Sequence, residues 1–196
     1  MKIILASISP RRAEILRNAG FNFDILPSEV DESVRPRESA ADYVRRLAEE
    51  KARAAAQTLA SNRKADAAVI VAADATVVLD GEILGKPSSA DDARDMLRRL
   101  SGRTHEVLTG LAVLSLQSRE IQLAVESTCV TFAKMTEAEI EDYVASGEPF
   151  DKAGAYAIQA RGGKFITRIE GCYFNVMGLP LARFYSILRE MQQKCD

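Results

Sequence analysis

The run AAVIVAAD, residues 67–74, constrains the fold more than any other stretch of this chain. It is apolar without interruption until its final acid, and it lacks the alternation of a strand with one wet face. Such a strand has to be covered on both sides, which in practice means a sheet with helices packed on each face. The neighbouring segments supply those layers. Residues 2–6 read as a short buried strand, and a helix follows from Pro10 to Ala19, with Ser9 as N-cap and Gly20 as its stop. FNFDIL alternates like a second strand, and PSEVDESVRPRES reads as a polar loop. The next helix is expected from Ser39 to Ala60, with Tyr43, Leu47 and the alanines on its apolar face.

Beyond Asp74, TVVLDGEIL reads as a hairpin about Asp80-Gly81, and a helix is expected over Ser89–Leu100. Residues 105–116 and 120–133 suit a long antiparallel pair, and Thr136 with Glu139 forms a capping box for a helix through Ala145. A loop-rich segment, a strand at KFITRIEG and a helix over Leu179–Gln193 complete the order. No repeat or linker interrupts it. The expectation is α/β, one domain over residues 1–196, with a mixed sheet flanked by helices.

The charge balance narrows the function. With 26 Lys+Arg against 28 Asp+Glu, the formal net charge of -2 provides no general field for nucleic acid or an anionic membrane, so any anion site is local. No apolar run approaches the ~18 residues of a membrane span, and MKIILASISPRR is too short for a secretory segment, so a soluble cytoplasmic protein is expected. Three scattered cysteines, Cys129, Cys172 and Cys195, with one histidine, His105, fit neither a disulfide framework nor a zinc site. His105 lacks a nucleophile pattern around it and reads as structural or substrate-positioning.

Several residues carry chemistry. SISPRR places Arg11 and Arg12 in the first turn of a helix, where the dipole disfavours each cation by roughly 0.3–1 kcal/mol unless an anion is present. With the free amides of that turn, they make a phosphate-site candidate. Asp74 closes an apolar strand at the place where open sheets bind ligands, suited to a divalent metal or to orienting a water, or else simply to starting a turn. Glu29, Asp31 and Glu32 lie in the acidic loop, and spacing does not choose among them as metal ligands. Lys51 has Glu49 and Glu50 beside it and can be a surface charge. Lys86, fixed between Gly85 and Pro87, suits a point-charge phosphate contact, although LGKP is not a Walker motif. Gln159, in AYAIQARGG, offers a donor and an acceptor that match the O4 and N3–H of uracil or thymine.

LASISPRRAEIL, AEEKARA, AADATVVLDGEILGKP, LSGRTHEVLTG and DKAGAYAIQARGGKFITRIEGCYFNVMGLPL occur in this order nearly end to end. In them the chain resembles the Maf family of nucleoside triphosphate pyrophosphatases, also called septum formation inhibitors. The resemblance implies a Maf/ITPase-like fold with an elongated sheet, and hydrolysis of a nucleoside triphosphate to a monophosphate and pyrophosphate with a divalent cation, Mg²⁺ or Mn²⁺. It implies Ser9, Arg11, Arg12, Lys51 and Lys86 at the phosphates, Glu32 as a catalytic or metal carboxylate, and Asp74 as proton acceptor for water and a metal ligand. Gln159 and the tail CYFNVMGLPL resemble the branch acting on dTTP and UTP; the branch acting on 7-methyl-GTP carries glutamate in place of Gln159. Ala75 departs from the family's usual threonine after the aspartate, a position implicated in specificity along with Arg11 and Gln159. The resemblance also implies a homodimer and a role in nucleotide-pool cleaning or arrest of division. Two alternatives are a non-catalytic nucleotide sensor of septation, which needs neither Asp74 nor a metal, and a purine-directed ITP/XTP pyrophosphatase, which needs a base contact other than Gln159.

Overall fold

The computed structural model describes residues 2–60 and 68–193; Ala67 at the start of the apolar run and Cys195 lie outside them. Along the described residues the strands are β1 (Lys2–Leu5), β2 (Phe23–Ile25), β3 (Ala68–Leu79), β4 (Glu82–Leu84), β5 (Thr104–Ser115), β6 (Ile121–Phe132) and β7 (Ile166–Glu170). The helices are α1 (Pro10–Asn18), α2 (Ala40–Leu59), α3 (Ala90–Leu100), α4 (Glu137–Ala145), the single turn α5 (Tyr173–Val176) and α6 (Leu181–Gln193). The strands form a seven-stranded sheet in the order β2-β1-β3-β5-β6-β7, with β4 paired to β3. β1 runs parallel to both β2 and β3, whereas β4 is antiparallel to β3 and β7 to β6. The sheet is therefore mixed and the class is α/β, as expected.

Local chemistry accounts for most of the boundaries. Leu79 pairs with Glu82 across Asp80-Gly81, and both turn residues have positive φ, 53° and 83°, which is the geometry a two-residue hairpin demands. Thr136 and Glu139 form the capping box reciprocally at the start of α4. β5 and β6 are sheet neighbours joined through residues 116–120, too short a connection for a parallel crossover, and Ser115 N–H donates to the Glu120 carbonyl across it.

Three expectations need correction. β3 does not end at Asp74 but continues through Leu79, because Thr76, Val77 and Val78 prolong the β-favouring run. Tyr43 is not part of the buried face of α2; Val44, Leu47, Ala48, Ala52 and Ala55 form it, and Tyr43 turns toward the acidic loop. The tail CYFNVMGLPL contains α5, which four residues without a capping side chain do not announce.

Packing groups Met1–Asp74, Thr109–Glu126 and Gly178–Asp196 into one compact unit and Ala75–Leu108 and Ser127–Met177 into another. In the second, Leu79, Leu97, Leu100, Ile140, Tyr143 and Phe165 belong to one buried cluster. In the first, the alanines of α2 pack with Ile4, Ile70, Ala72, Ala112 and Leu114 of the sheet. Small residues let this helix lie very close. At Gly110 of β5 an added Cβ would collide with the Val44 carbonyl and stand 2.8 Å from the Arg45 nitrogen. The obstacle is helix backbone, which cannot rotate away. Gly110→Ala is therefore expected to destabilise the protein by ~1–3 kcal/mol as overpacking. Urea unfolding would show a lowered midpoint, and an unchanged midpoint would mean that α2 is not held so tightly.

Candidate active site

The first unit builds a cationic helix start. β1 ends at Leu5, buried Ser7 follows, and Ser9 occupies the N-cap position of α1 with extended backbone. No side-chain cap bond forms there, and no acid occupies the first turn, so Ser9 leaves the helix amides uncapped. The Ser7 hydroxyl instead accepts from Ser9 N–H at 3.1 Å and from an Arg12 terminal nitrogen at 3.1 Å. Arg12 Nε donates to the Gly178 carbonyl at 2.7 Å. Both of these acceptors are neutral. Desolvation pulls the Arg12 pKa below the usual arginine value; Asp74 opposes that shift, adjacent Arg11 adds to it, and Glu32 opposes it. Arg11 stands beside it in the same first turn, half-buried.

The same unit gathers the acids. Ala68, Ile70 and Ala72 of β3 pack on α2, and the two-residue period of a strand puts Asp74 next on that face. Asp74 and Lys51 of α2 are each only 8 % exposed. Lys51 Nζ donates to Asp74 Oδ1 at 2.6 Å and to Glu32 Oε1, also at 2.6 Å. Lys51 is thus no surface charge: it bridges two carboxylates that arrive from a strand and a loop. Among the acids of that loop, Glu32 is joined to Lys51, while Asp31 accepts from Ser33 N–H at 2.9 Å and Glu29 is exposed. The Tyr43 hydroxyl donates to the Glu32 carbonyl at 2.9 Å, and burial, with Asp74 and Glu32 nearby, raises its pKa to about 12.

The sequence gives Ser7 no role and places Tyr43 on the apolar face of α2; a hydroxyl directly after a buried strand is the signal for Ser7, and for Tyr43 the phenol at the edge of that face.

The second unit holds the other candidates. Ala75 follows Asp74 in β3, with the opposite parity, so its methyl points to the other face. Lys86 is exposed in the bend between β4 and α3, and Gln159 is half-buried in the turn after Tyr156. His105 is enclosed edge-on to Phe132 and Tyr156, with Nε2 hydrogen-bonded to the Tyr156 hydroxyl at 2.8 Å. Burial lowers its pKa to about 4, so it is a neutral core residue. Cys129 and Cys172 are free thiols. Among the described residues no group of three or more His, Cys, Asp or Glu forms a metal cluster, and no helix is long and apolar enough to cross a membrane.

Fold and site together define an α/β protein that pairs a cationic helix start with two carboxylates sharing one buried ammonium. The chain belongs to the Maf family of Maf-like proteins, whose pattern matches residues 2–191. It is 50% identical over 190 residues to the dTTP/UTP pyrophosphatase of Anaeromyxobacter dehalogenans (strain 2CP-C), covering 96% of this chain and 93% of that one. It is 47% identical over 193 residues to the dTTP/UTP pyrophosphatase of Carboxydothermus hydrogenoformans, covering 97% of this chain and 98% of that one. Among solved structures it is similar to the Staphylococcus aureus Ham1 protein, with a TM-score of 0.47 and 15% identity over 68% of this chain and 72% of that one.

The burial of the Lys51–Asp74 pair generates a stability prediction. Lys51→Met leaves the Asp74 carboxylate desolvated without its ammonium, a change expected to cost about 3–5 kcal/mol at pH 7. Adding Asp74→Asn should restore much of the loss. Urea titrations of the single and double variants test this, and wild-type stability in Lys51→Met would contradict a desolvated pair.

Proposed function

We propose that this chain hydrolyses dTTP and UTP to the nucleoside monophosphate and pyrophosphate. The observation that carries the reading is the convergence of Asp74 and Glu32 on Lys51, in a chain about half identical, over nearly its whole length, to proteins named for that activity.

The chemistry follows from the bond concerned. Water attacks the α-phosphorus, a new P–O bond forms, and the bond to the bridging oxygen breaks with pyrophosphate as leaving group. The chain's task is to position the phosphates and offset their charge. Arg11, Arg12 and the uncapped amides after Ser9 serve as the cationic contacts, and Lys86 is assigned to the phosphates on its chemistry alone. Asp74 orients the water and takes its proton, while Lys51 compensates the carboxylate charge and fixes its direction.

The donor set also suits a divalent cation. Lys51 gathers two carboxylates, from Asp74 and Glu32, at one point, and Mg²⁺ at phosphates is usually held by one or two carboxylates with water. Glu32 and Asp74 would hold it, and it would supply further neutralisation of phosphate oxygens. Gln159 is assigned to the base on its chemistry alone: its amide complements the O4 acceptor and N3–H donor that uracil and thymine share.

Incubation with UTP, dTTP, CTP and ITP plus Mg²⁺, with separation of the products, tests the activity. Pyrophosphate and monophosphate from UTP and dTTP are expected. Orthophosphate with a diphosphate would overturn the reaction class, and turnover of ITP alone would overturn the base assignment. Asp74→Asn is expected to lower kcat by at least ~10²-fold, in the range of lost general-base catalysis, with nucleotide still bound. Near-normal turnover in that variant would remove Asp74 from its role.

A further inference from the structure

Glu32 sits in an exposed loop, yet the two groups it accompanies, Lys51 and Asp74, are buried and fixed. A loop carboxylate needs something to hold it at that distance. The backbone carbonyls around Glu32 supply the answer, because side chains of α2 hold them. The Glu32 carbonyl accepts from the Tyr43 hydroxyl at 2.9 Å, and the next, Ser33, accepts from an Arg46 terminal nitrogen at 3.0 Å. The other terminal nitrogen of Arg46 lies 3.5 Å from the Asp31 carbonyl, a long contact.

Arg46 is itself locked. Its guanidinium makes a fork to Glu38, with Nε at 2.6 Å from one oxygen and a terminal nitrogen 2.8 Å from the other. Glu50, one turn along α2, accepts at 3.2 Å, and the guanidinium lies over the Tyr43 ring at 5.6 Å from its centroid. The Arg46 and Glu38 side chains are only 12% and 9% exposed, unlike an ordinary surface pair. The hydrogen bonds from Arg46 hold the Glu38 carboxyl down to about 2. Glu38 lies near the end of the loop that carries Glu32 in its middle, so one guanidinium ties the middle of the loop to its end. Tyr43, Arg46 and Glu50 recur at the spacing of one helix face, the face that leads to Lys51.

We infer that Arg46, with Tyr43 stacked against it, is a positioning residue that fixes Glu32 beside Lys51 and Asp74 by gripping the main chain on either side of it. This rests on the proposed pyrophosphatase reading. Its distinguishing consequence is that Arg46 acts only through Glu32, so the two residues cannot contribute independently.

A double-mutant cycle on dTTP hydrolysis, with pyrophosphate as readout, tests it. Arg46→Lys keeps the charge but loses the fork, and it is expected to lower kcat roughly 10- to 100-fold, as removal of a supporting partner does, with KM for dTTP within about threefold of wild type. The double variant with Glu32→Gln should be no slower than Glu32→Gln alone, within about twofold. Tyr43→Phe removes a single hydroxyl and runs the same cycle should Arg46→Lys fail to fold; it too should lower kcat and add nothing to Glu32→Gln. Losses that multiply in the double variants would overturn the inference, as would single variants that match wild type. A wild-type protein that releases no pyrophosphate would instead remove the pyrophosphatase reading on which the inference stands.

Discussion

An ammonium almost withdrawn from water needs a compensating charge, and at Lys51 that requirement organises the first unit. A lysine only 8 % exposed on a helix otherwise lined with alanine would be a liability without partners. Asp74 on β3 and Glu32 in the loop provide them, and in doing so they tie three separate segments to one point. The one ammonium offsets part of their combined charge before any ligand arrives. For the polyanionic substrate of the proposed function this matters, since two uncompensated carboxylates would repel it.

α2 imposes this arrangement because it meets different demands on different sides. Its alanines and the missing side chain at Gly110 bring the backbone against the sheet, which sets Lys51 within reach of a strand residue. Tyr43, Arg46 and Glu50 lie on a more polar side and take hold of a loop that has no secondary structure of its own. Shifting the helix by even a fraction of an ångström would disturb both. Close packing of small residues is therefore a condition of the electrostatics, not a separate feature of the core.

Much of this was legible in the residues, and the exceptions have physical reasons. The hairpin at Asp80-Gly81 and the capping box at Thr136 rest on short-range chemistry that a sequence displays directly. Arg12 and Asp74 stood out because each is locally unfavourable, a cation at a helix start and an acid after an apolar run. Lys51 did not stand out, since neighbouring Glu49 and Glu50 suggest a wet helix face; its burial comes from tertiary packing through alanines on either side. The choice of Glu32 over Glu29 and Asp31 depends on where α2 grips the loop, and no spacing rule encodes that. An acid usually stops an apolar strand, which is why Asp74 reads as a strand end, whereas here Lys51 compensates it and the β-branched residues beyond prolong the strand.

Two cations of the first unit, buried Lys51 and half-buried Arg12, are held in different ways. Lys51 is bonded to carboxylates, whereas the hydrogen bonds of Arg12 go to the neutral oxygens of Ser7 and Gly178. Those bonds fix the direction of the guanidinium but do not neutralise it. Asp74 and Glu32 act on Arg12 through the field, and their effect is opposed by burial and by Arg11. The uncapped amides of α1 add partial positive charge at the same place. One cation is thus used to keep the acids in order, and the other is oriented by neutral oxygens that leave its charge in place, a division that suits the proposed hydrolysis, which calls for carboxylates near the attacking water and positive charge near the oxygens that leave.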